Sequence, residues 1–408
     1  MHLQRTKLHF LRKKGELTDR ARVGISLHAH TEHSKEMLDF VPHYAEQLPI
    51  ISYFWKKEKV KYVERYGREV DWTGAFWSPP LTGQMVYDIE KSQINDAGLD
   101  AFVSLTDHDE ITANLAVVDT QEGKSVPISL EWTVPFEFGF FHVGVHNLPR
   151  ESAAEITKTL LDYSFNTERQ TQGNLKELLV MLSDIPQVLV ILNHPLWDIE
   201  MAGKERHREL LMSFLRTHSR YLHALEVNGF RKWSENKAVI EIAESYGMPV
   251  ATGGDRHGCR PNTVINLTDA RTFDEFVEEI RVDKKSQVAF MPEYELPLHS
   301  RQLASFADIL KTYPDFPEAR RRWFDRVSFD TGSGLGVARL SEQGWNNAKR
   351  VWLRAAIWTL AVLGSPVARP IFRAARATKD RVPRDADFAE FEIPRLEDAP
   401  AEFSSRTV

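Results

Sequence analysis

Short apolar runs rich in β-branched residues recur along the first 250 or so residues of the chain, and polar residues follow each run. Runs of this length with apolar residues on both faces are typical of strands buried on both sides in a parallel sheet. The predicted strands are Val23–Leu27, Ala101–Leu105, Val126–Leu130, Phe141–Val145, Val188–Leu192, Ala224–Val227 and Pro249–Ala251.

Helical patterns separate several of these runs. Apolar residues recur at spacings of three and four in Leu175–Leu182, Arg206–Leu215 and Asn236–Tyr246, which indicates helices with one buried face. Strands that alternate with helices predict an α/β fold with a parallel sheet. Seven predicted strands with helices between them favour a closed or nearly closed barrel over an open sheet.

Two segments depart from this alternation. Residues 40–85 are rich in aromatic residues and punctuated by prolines, and so long a connection is typical of a functional loop or a small subdomain. The chain after residue 290 has several prolines, then helical stretches, then an acidic end. We therefore predict a domain over residues 1–290 with an insertion at about 40–85, followed at 291–408 by a mostly helical C-terminal extension and acidic tail.

Composition narrows the class of protein. The 408 residues are 42% hydrophobic and 27% charged, as in ordinary globular proteins, which excludes a disordered chain, a collagen and a coiled-coil rod. One cysteine, Cys259, excludes an intrachain disulfide and a cysteine-based zinc finger, and it fits a reducing compartment. We expect a cytoplasmic protein without a secretory signal, and without a transmembrane segment because no apolar stretch reaches ~20 residues.

The charge is nearly balanced overall but uneven along the chain. The net charge of −6 gives no general attraction to nucleic acid, which stays an open partner class without support from charge. Residues 349–384, however, hold nine Lys and Arg against Asp380 alone, and an acidic run follows at 385–402.

The basic segment also contains the apolar stretch Val351–Leu363, with Trp352 and Trp358. Such a stretch could lie on an anionic membrane surface. Alternatively, it packs on the barrel while the basic residues pair with the acidic run. The sequence favours the second arrangement, because opposite charge runs that adjoin usually pair.

Metal-type ligands stand at nearly every predicted strand end. The carboxyl ends of barrel strands converge on one face, and alternate residues point the same way, so His28 and His30 aim together, as do Asp255 and His257. Imidazole and carboxylate groups bind zinc, manganese or iron. A carboxylate can bridge two ions. The other strand-end ligands are His108, Glu131, His142 and His194.

The motifs at these strand ends resemble those of a known protein family. The motifs LHAHTEHS, SLTDHDE, ISLEW, FHVGVH, ILNHP, LEVNG and GGDRHG, over about residues 20–270, resemble in order those of the PHP (polymerase and histidinol phosphatase) phosphoesterases. The resemblance implies a distorted seven-stranded β/α barrel. It also implies a hydrolase of phosphate esters that acts on a small phosphorylated substrate with two or three divalent metal ions (Zn, Mn or Fe).

The resemblance further implies which residues bind each ion. The first set is His28, His30, Glu131 and Asp255, the second is Glu131, His142 and His194, and the third includes His108 and His257. The family motif usually has an acidic residue directly after Ser34, where this chain has Lys35, which cannot ligate a metal while protonated. Glu36 or His33 could replace it, so two and three ions both remain open.

The implied reaction has a water that bridges two ions attack phosphorus. By position, Asp107, Asp109 and His257 are candidates to protonate the leaving group. Lys35 and Arg256 lie within two of the motifs and are candidates to bind phosphate oxygens. Their alternatives are a solvated loop lysine and an ion pair at the barrel rim.

Other classes stay open at this stage. Metal-dependent amidohydrolases also carry a His-x-His after the first strand, and a degenerate barrel could serve as a non-catalytic binding module. Trp132, Trp197 and Trp233 follow ligand-bearing strand ends, where they either line a pocket or pack helices on strands. The sequence leaves the substrate, the metal and the oligomeric state undecided.

Overall fold

The computed structural model describes residues 5–11, 17–39, 41–47, 49–120, 126–199, 201–330, 336–342, 351–374 and 380–383. The strands are β1 (Thr6–Phe10), β2 (Val23–Ser26), β3 (Glu36–Met37), β4 (Phe76–Trp77), β5 (Asp100–Val103), β6 (Ile128–Phe136), β7 (Gly139–Leu148), β8 (Leu189–Leu192), β9 (Ala224–Asn228), β10 (Val250–Gly253), β11 (Val264–Thr268), β12 (Ser286–Phe290), β13 (Val327–Asp330) and β14 (Val337–Arg339). The helices are α1 (Val41–Gln47), α2 (Pro49–Tyr66), α3 (Gly83–Asn95), α4 (Thr112–Val118), α5 (Ala153–Phe165), α6 (Gln172–Asp184), α7 (Lys204–His218), α8 (Trp233–Ser245), α9 (Phe273–Arg281), α10 (Leu298–Leu310), α11 (Val351–Leu363) and α12 (Arg369–Ala374).

Two five-stranded sheets form the body of the molecule. The strand orders are β1-β12-β11-β2-β5 and β10-β9-β8-β7-β6. Isolated parallel bridges between His108 and Glu131 and between Ala29 and Arg256 connect the two sheets just beyond their strand ends. The α/β class is confirmed, and the described residues hold two sheets joined by bridges rather than one continuous sheet.

Each predicted strand and helix overlaps an observed element, but the all-parallel expectation is wrong. Strands β6 and β7 form an antiparallel hairpin, and β8 is antiparallel to β7. Only Glu137 and Phe138 connect β6 to β7. A parallel connection needs a crossover of a dozen or more residues, so this short turn permits only the antiparallel pairing.

Apolar periodicity explains how the helices attach to the sheets. Leu175, Leu179 and Leu182 recur along one face of α6, and all three are fully buried. Strand β8 has the sequence LVIL, and all four of its residues are buried. Burial of each such side chain stabilises the fold by about 1.5–3 kcal/mol, so these layers position the strand ends firmly.

The insertion and the C-terminal extension meet in a third, smaller sheet. Its order is β14-β13-β4-β3, and Trp77 in β4 pairs with Glu36 on one side and Val327 on the other. Residues 40–85 thus contribute helices α1 and α2 and strand β4, and the chain after residue 290 contributes strands as well as helices. Ala75, Trp77, Phe324, Val327, Phe329 and Leu340 form its small apolar core.

The last described helices sit on the extension and not on the body. Helix α11 packs against α10, while Trp358 is 69% exposed. The expectation that this side chain packs on the barrel is therefore wrong. The Trp352 side chain and the acidic run at 385–402 lie outside the described residues. Among the described helices, none combines the length and apolar character that crossing a membrane requires.

Candidate metal centre

The centre of the site is the fully buried carboxylate of Glu131, near the start of β6. Its Oε2 atom lies 3.1 Å from His28 Nε2, 3.3 Å from His30 Nε2 and 3.2 Å from His108 Nδ1. Strand β2 ends just before His28, and β5 ends a few residues before His108. The strand ends of one sheet thus direct three imidazoles at a carboxylate oxygen carried by the other sheet.

The second carboxylate oxygen of Glu131 faces a separate pair of imidazoles. Oε1 lies 3.3 Å from His142 Nδ1 and 3.1 Å from His194 Nε2. His142 belongs to the antiparallel strand β7, and His194 follows β8. Asn193 Nδ2 donates a hydrogen bond to the same Oε1 at 2.9 Å, which fixes the carboxylate plane.

Asp255 extends the cluster on the side of β10. Its Oδ1 lies 3.7 Å from both His28 Nε2 and His30 Nε2. His28, His194 and Asp255 can each offer one ligand atom within 4.8 Å of the others. This is one of four such overlapping groups.

Glu36 forms a further group at the edge of the site. Its Oε2 lies 3.1 Å from His108 Nε2 and 3.0 Å from His257 Nε2, and its Oε1 accepts a hydrogen bond from Ser34. Lys35 points elsewhere, with its ammonium 5.5 Å from the ring centre of Phe76. Glu36 thus occupies the position that the sequence left open.

The nine predicted metal ligands all fall within the four groups of potential ligands. These are His30, Glu36, His108 and His257; His28, His30 and Glu131; His28, His194 and Asp255; and His108, Glu131 and His142. The described residues therefore contain a His/carboxylate cluster able to bind metal ions. The sequence predicted the membership, although it placed His108 only in the third set.

The arrangement of nitrogen and oxygen atoms fits a metal. Glu131 Oε2 accepts no hydrogen bond within the described part of the chain, although three imidazoles lie close to it. His28 Nδ1 contacts Glu226 at 2.5 Å, and its Nε2 lies 3.1 Å from His30 Nε2. Imidazole nitrogens that converge on a carboxylate are the arrangement that divalent cations bind.

Glu226 is the functional residue that the sequence underestimated. Besides His28, its carboxylate accepts hydrogen bonds from the backbone N–H of His194 at 2.7 Å and from Asn228 Nδ2 at 3.0 Å. It therefore orients two of the clustered histidines from behind. The signal was an acidic residue within the otherwise apolar run of β9.

Backbone strain is concentrated at the strand ends of the site. His28, Asp109, His194 and Asp255 have φ angles of 62°, 54°, 27° and 47°. Non-glycine residues with positive φ are uncommon, and they persist only where the surroundings hold them. Three of these four residues belong to the clustered set.

Burial and neighbouring charges shift the titration of the cluster in opposite directions. Burial opposes ionisation of Glu131, but His28, His142 and His108 outweigh it and hold the pKa of the carboxyl well below its usual range. Burial, reinforced by His257, lowers the pKa of His30 to about 3. Burial opposes protonation of His108, but Glu36 and Glu131 outweigh it and raise the pKa of this imidazole to about 10, so an ion that binds there would displace a proton.

Two predicted catalytic residues have structural partners instead. Asp107 is fully buried and accepts hydrogen bonds from Thr31 N at 2.5 Å and Thr31 Oγ1 at 2.6 Å, so it fastens the loop that carries His30. Arg256 is 2% exposed and pairs with Glu90 at 3.0 Å. That contact of its Nε is the ion-pair alternative for Arg256, while its Nη1 and Nη2 have no hydrogen-bond partner among the described residues.

Asp109 remains near the opening of the site. Its Oδ1 accepts a hydrogen bond from Thr133 N at 2.8 Å, and its side chain is partly exposed. Burial raises the pKa of this carboxyl. His257 is likewise partly exposed, and its Nδ1 contacts the carbonyl of Asp255.

Arg231 and Trp197 form one wall of the opening. The guanidinium lies 3.9 Å from the Trp197 ring centre, and this ring contacts His194 edge to face. Arg231 Nη2 lies 3.9 Å from Asp255 Oδ2. Its Nε lies 3.7 Å from Glu235 Oε1. By contrast, Trp132 and Trp233 are buried packing residues.

Comparison with known proteins gives no family assignment. No family model matches the chain, and no curated protein matches it. Solved structures similar to it include an amidohydrolase from Chromobacterium violaceum with bound sulfate and no metal (13% identity, TM-score 0.32, 57% of this chain and 87% of that one). Others are a protein described as a metal-dependent phosphoesterase from Bifidobacterium adolescentis (14%, 0.30, 50% and 91%) and PsfC from Pseudomonas syringae (16%, 0.36, 52% and 83%). Structural similarity at these TM-scores does not support an assignment of function.

Proposed function

We propose that this protein is a metal-dependent phosphoesterase. The observation that carries the proposal is the division of imidazoles between the two oxygens of Glu131, with His28, His30 and His108 on one side and His142 and His194 on the other. A buried carboxylate with ligands on both oxygens is the arrangement that holds two ions side by side, as hydrolysis of phosphate esters by paired metals requires.

We also infer that seven strands that carry the site, β2 and β5 to β10, make up a distorted barrel. Their order runs from β2 to β5, then from β6 through β9 to β10. The bridge from His108 to Glu131 supports one seam, and the bridge from Ala29 to Arg256 supports the other. Both bridges lie beside candidate ligands, so closure of the barrel and assembly of the site are coupled in this proposal.

Divalent ions bound here would supply Lewis-acid activation of a water molecule and neutralise phosphoryl oxygens. The ligand sets proposed are His28, His30, Glu131 and Asp255 for one ion, Glu131, His142 and His194 for a second, and Glu36, His108 and His257 for a third. Zinc, manganese and iron all suit this donor set.

The remaining roles fall to side chains at the opening. Arg231 is proposed to bind a phosphoryl oxygen of the substrate, because its guanidinium stacks on Trp197 and its Nη2 lies beside Asp255 of the cluster. Asp109 is proposed to supply the proton that the leaving alkoxide needs, because it combines proximity to the cluster with partial exposure. His257 takes this role only where no third ion binds it. Lys35 keeps a proposed role only as a peripheral cation.

The direct test is turnover and metal content of the wild type and of Glu131→Gln. The amide keeps the size of the side chain but loses the charge that both ions share, so activity on p-nitrophenyl phosphate and bis(p-nitrophenyl) phosphate should fall by at least about 10²-fold. Circular dichroism and the unfolding midpoint should show a folded variant. Glu137→Gln, on the turn after β6, is the control.

Several outcomes would contradict the proposal. Wild-type turnover with full metal content in Glu131→Gln would remove Glu131 from the centre. Hydrolysis of amide substrates but of neither phosphate ester would assign the site to an amidohydrolase. A wild type that binds no transition metal and turns over neither ester would make the protein a binding module.

A further inference from the structure

The C-terminal helices present apolar side chains that no described element covers. Val351, Trp358 and Val362 follow at spacings of seven and four, which places them on one side of α11. Val351 and Trp358 are 76% and 69% exposed. Val367 and Ile371, just beyond α11, are 82% and 69% exposed. These five residues are termed the C-terminal apolar face.

The opposite side of α11 is anchored. Leu353, Ile357 and Leu360 are partly buried. Gly364 approaches α10 so closely that a Cβ there would lie 2.7 Å from the backbone of Ala304. The helix therefore rests on α10 with one apolar side, and it holds the C-terminal apolar face outward as a fixed surface.

Basic residues accompany this face in the structure and in the sequence. Arg354 and Arg373 are exposed beside it, and residues 349–384 contain nine Lys and Arg with Asp380 as the sole acidic residue. An exposed tryptophan within an apolar surface flanked by basic residues is the pattern of helices that lie in the interface of anionic membranes. With 13 residues, α11 is about 20 Å long, too short to cross a bilayer core of about 30 Å.

We propose that the C-terminal apolar face binds the surface of a bilayer that contains anionic phospholipids. Trp358, Val367 and Ile371 enter the interface between headgroups and acyl chains, while the surrounding arginines attract the negative surface. A second copy of this chain is the less favourable occupant, because it would bring one basic segment against another. This proposal does not depend on the reaction at the metal centre.

The experiment is co-sedimentation of the full-length protein with vesicles at low salt. Vesicles of phosphatidylcholine with phosphatidylserine should pellet the protein, while phosphatidylcholine alone should leave it in the supernatant. Raised salt should release it, since screening weakens the attraction. Replacement of Arg354 and Arg373 by Glu should weaken binding by about tenfold or more.

The second part of the experiment tests substitutions in the C-terminal apolar face. Trp358→Ala combined with Ile371→Ala should lose most of the binding, whereas Phe165→Ala, 70% exposed at the end of α5, should bind like the wild type. A chain that ends at residue 384 should bind at least as well, because the acidic run carries the wrong charge. No pelleting of the wild type, or loss in that shortened chain, would overturn the proposal. A dimer in light scattering that the Trp358 and Ile371 changes dissociate would assign the face to self-association instead.

Discussion

Glycine at position 253 shows how far the site depends on single side chains. A Cβ at Gly253 would lie 1.4 Å from Glu226 Oε1, so no side chain fits while Glu226 holds His28. Gly253→Ala should displace Glu226 and weaken metal affinity by roughly 10- to 100-fold. Isothermal titration with Zn²⁺ or Mn²⁺ measures this. Gly74→Ala, where nothing lies within 4 Å, is the control, and equal affinity in both variants would contradict the argument.

Arg231 provides a test at the opening of the site. Arg231→Ala should raise KM for a phosphate ester by roughly tenfold and leave the bound metal unchanged, since it removes a phosphate contact and no ligand. Arg231→Lys should recover only part of this, because lysine lacks the planar fork that stacks on Trp197. Arg220→Ala is the matched control, as Arg220 also stacks on a ring, that of Tyr221. Lost metal in Arg231→Ala would instead indicate a structural role.

The side chains that the sequence singled out as candidate ligands lie together in the structure, and they could be found because strand ends are local features. A polar residue that ends an apolar run, as His194 does after β8, needs only the strand to be recognised. Contacts between distant segments left no such signal. No sequence pattern near Arg256 predicts its ion pair with Glu90, and none near Trp197 predicts that Arg231 stacks on its ring.

Among the elements, the start of β9 carries a pH-dependent contribution to stability. His223 is buried, and its Nδ1 accepts a hydrogen bond from Val190 N at 2.9 Å. Burial, with Arg281 and Lys284 nearby, lowers the pKa of His223 to about 3. The unfolded chain, with an ordinary pKa near 6.5, therefore binds more protons than the folded chain between these values.

The free energy of unfolding should consequently fall as pH drops below about 6.5. His223→Asn keeps an acceptor for Val190 without a titrating group, so it should lessen this loss by up to about 1.4 kcal/mol per pH unit. Urea unfolding at neutral and mildly acidic pH measures the difference. His43→Asn, at an exposed histidine in α1, is the control. Parallel pH profiles for the wild type and His223→Asn would refute the assignment.

The sequence predicted the positions of the strands better than it predicted how the strands pair. Apolar runs marked β8 and β9 to within a residue, because burial on both sides requires apolar residues throughout. Strand direction depends on connection length, and the two-residue connection at Glu137 and Phe138 was not evident from the apolar runs alone. Strands β3 and β4, with two residues each, are too short for any periodicity.

On the scale of the whole molecule, the small third sheet connects the insertion and the C-terminal extension to the candidate metal centre. Phe329 in β13 is 2% exposed within the core of this sheet. Phe329→Ala should cost about 3–5 kcal/mol locally, loosen β3 and thereby lower occupancy by about one ion per chain. Metal analysis by mass spectrometry measures this, and Phe306→Ala, at an exposed position, is the control.

Glu36→Ala should give the same loss, and an unchanged ion count in Glu36→Ala would show that Glu36 binds none.

The pairing of Glu36 with Trp77, and of Trp77 with Val327, has a consequence for biosynthesis. Val327 leaves the ribosome long after every histidine of the cluster has been translated. Trp77 cannot pair with Val327 before Val327 has been translated. The nascent chain can thus gather the ligands around Glu131 first, while the sheet that holds Glu36 is completed only after Val327 has been made. Maturation of the centre therefore proceeds in two stages, with the outer ligand group completed last.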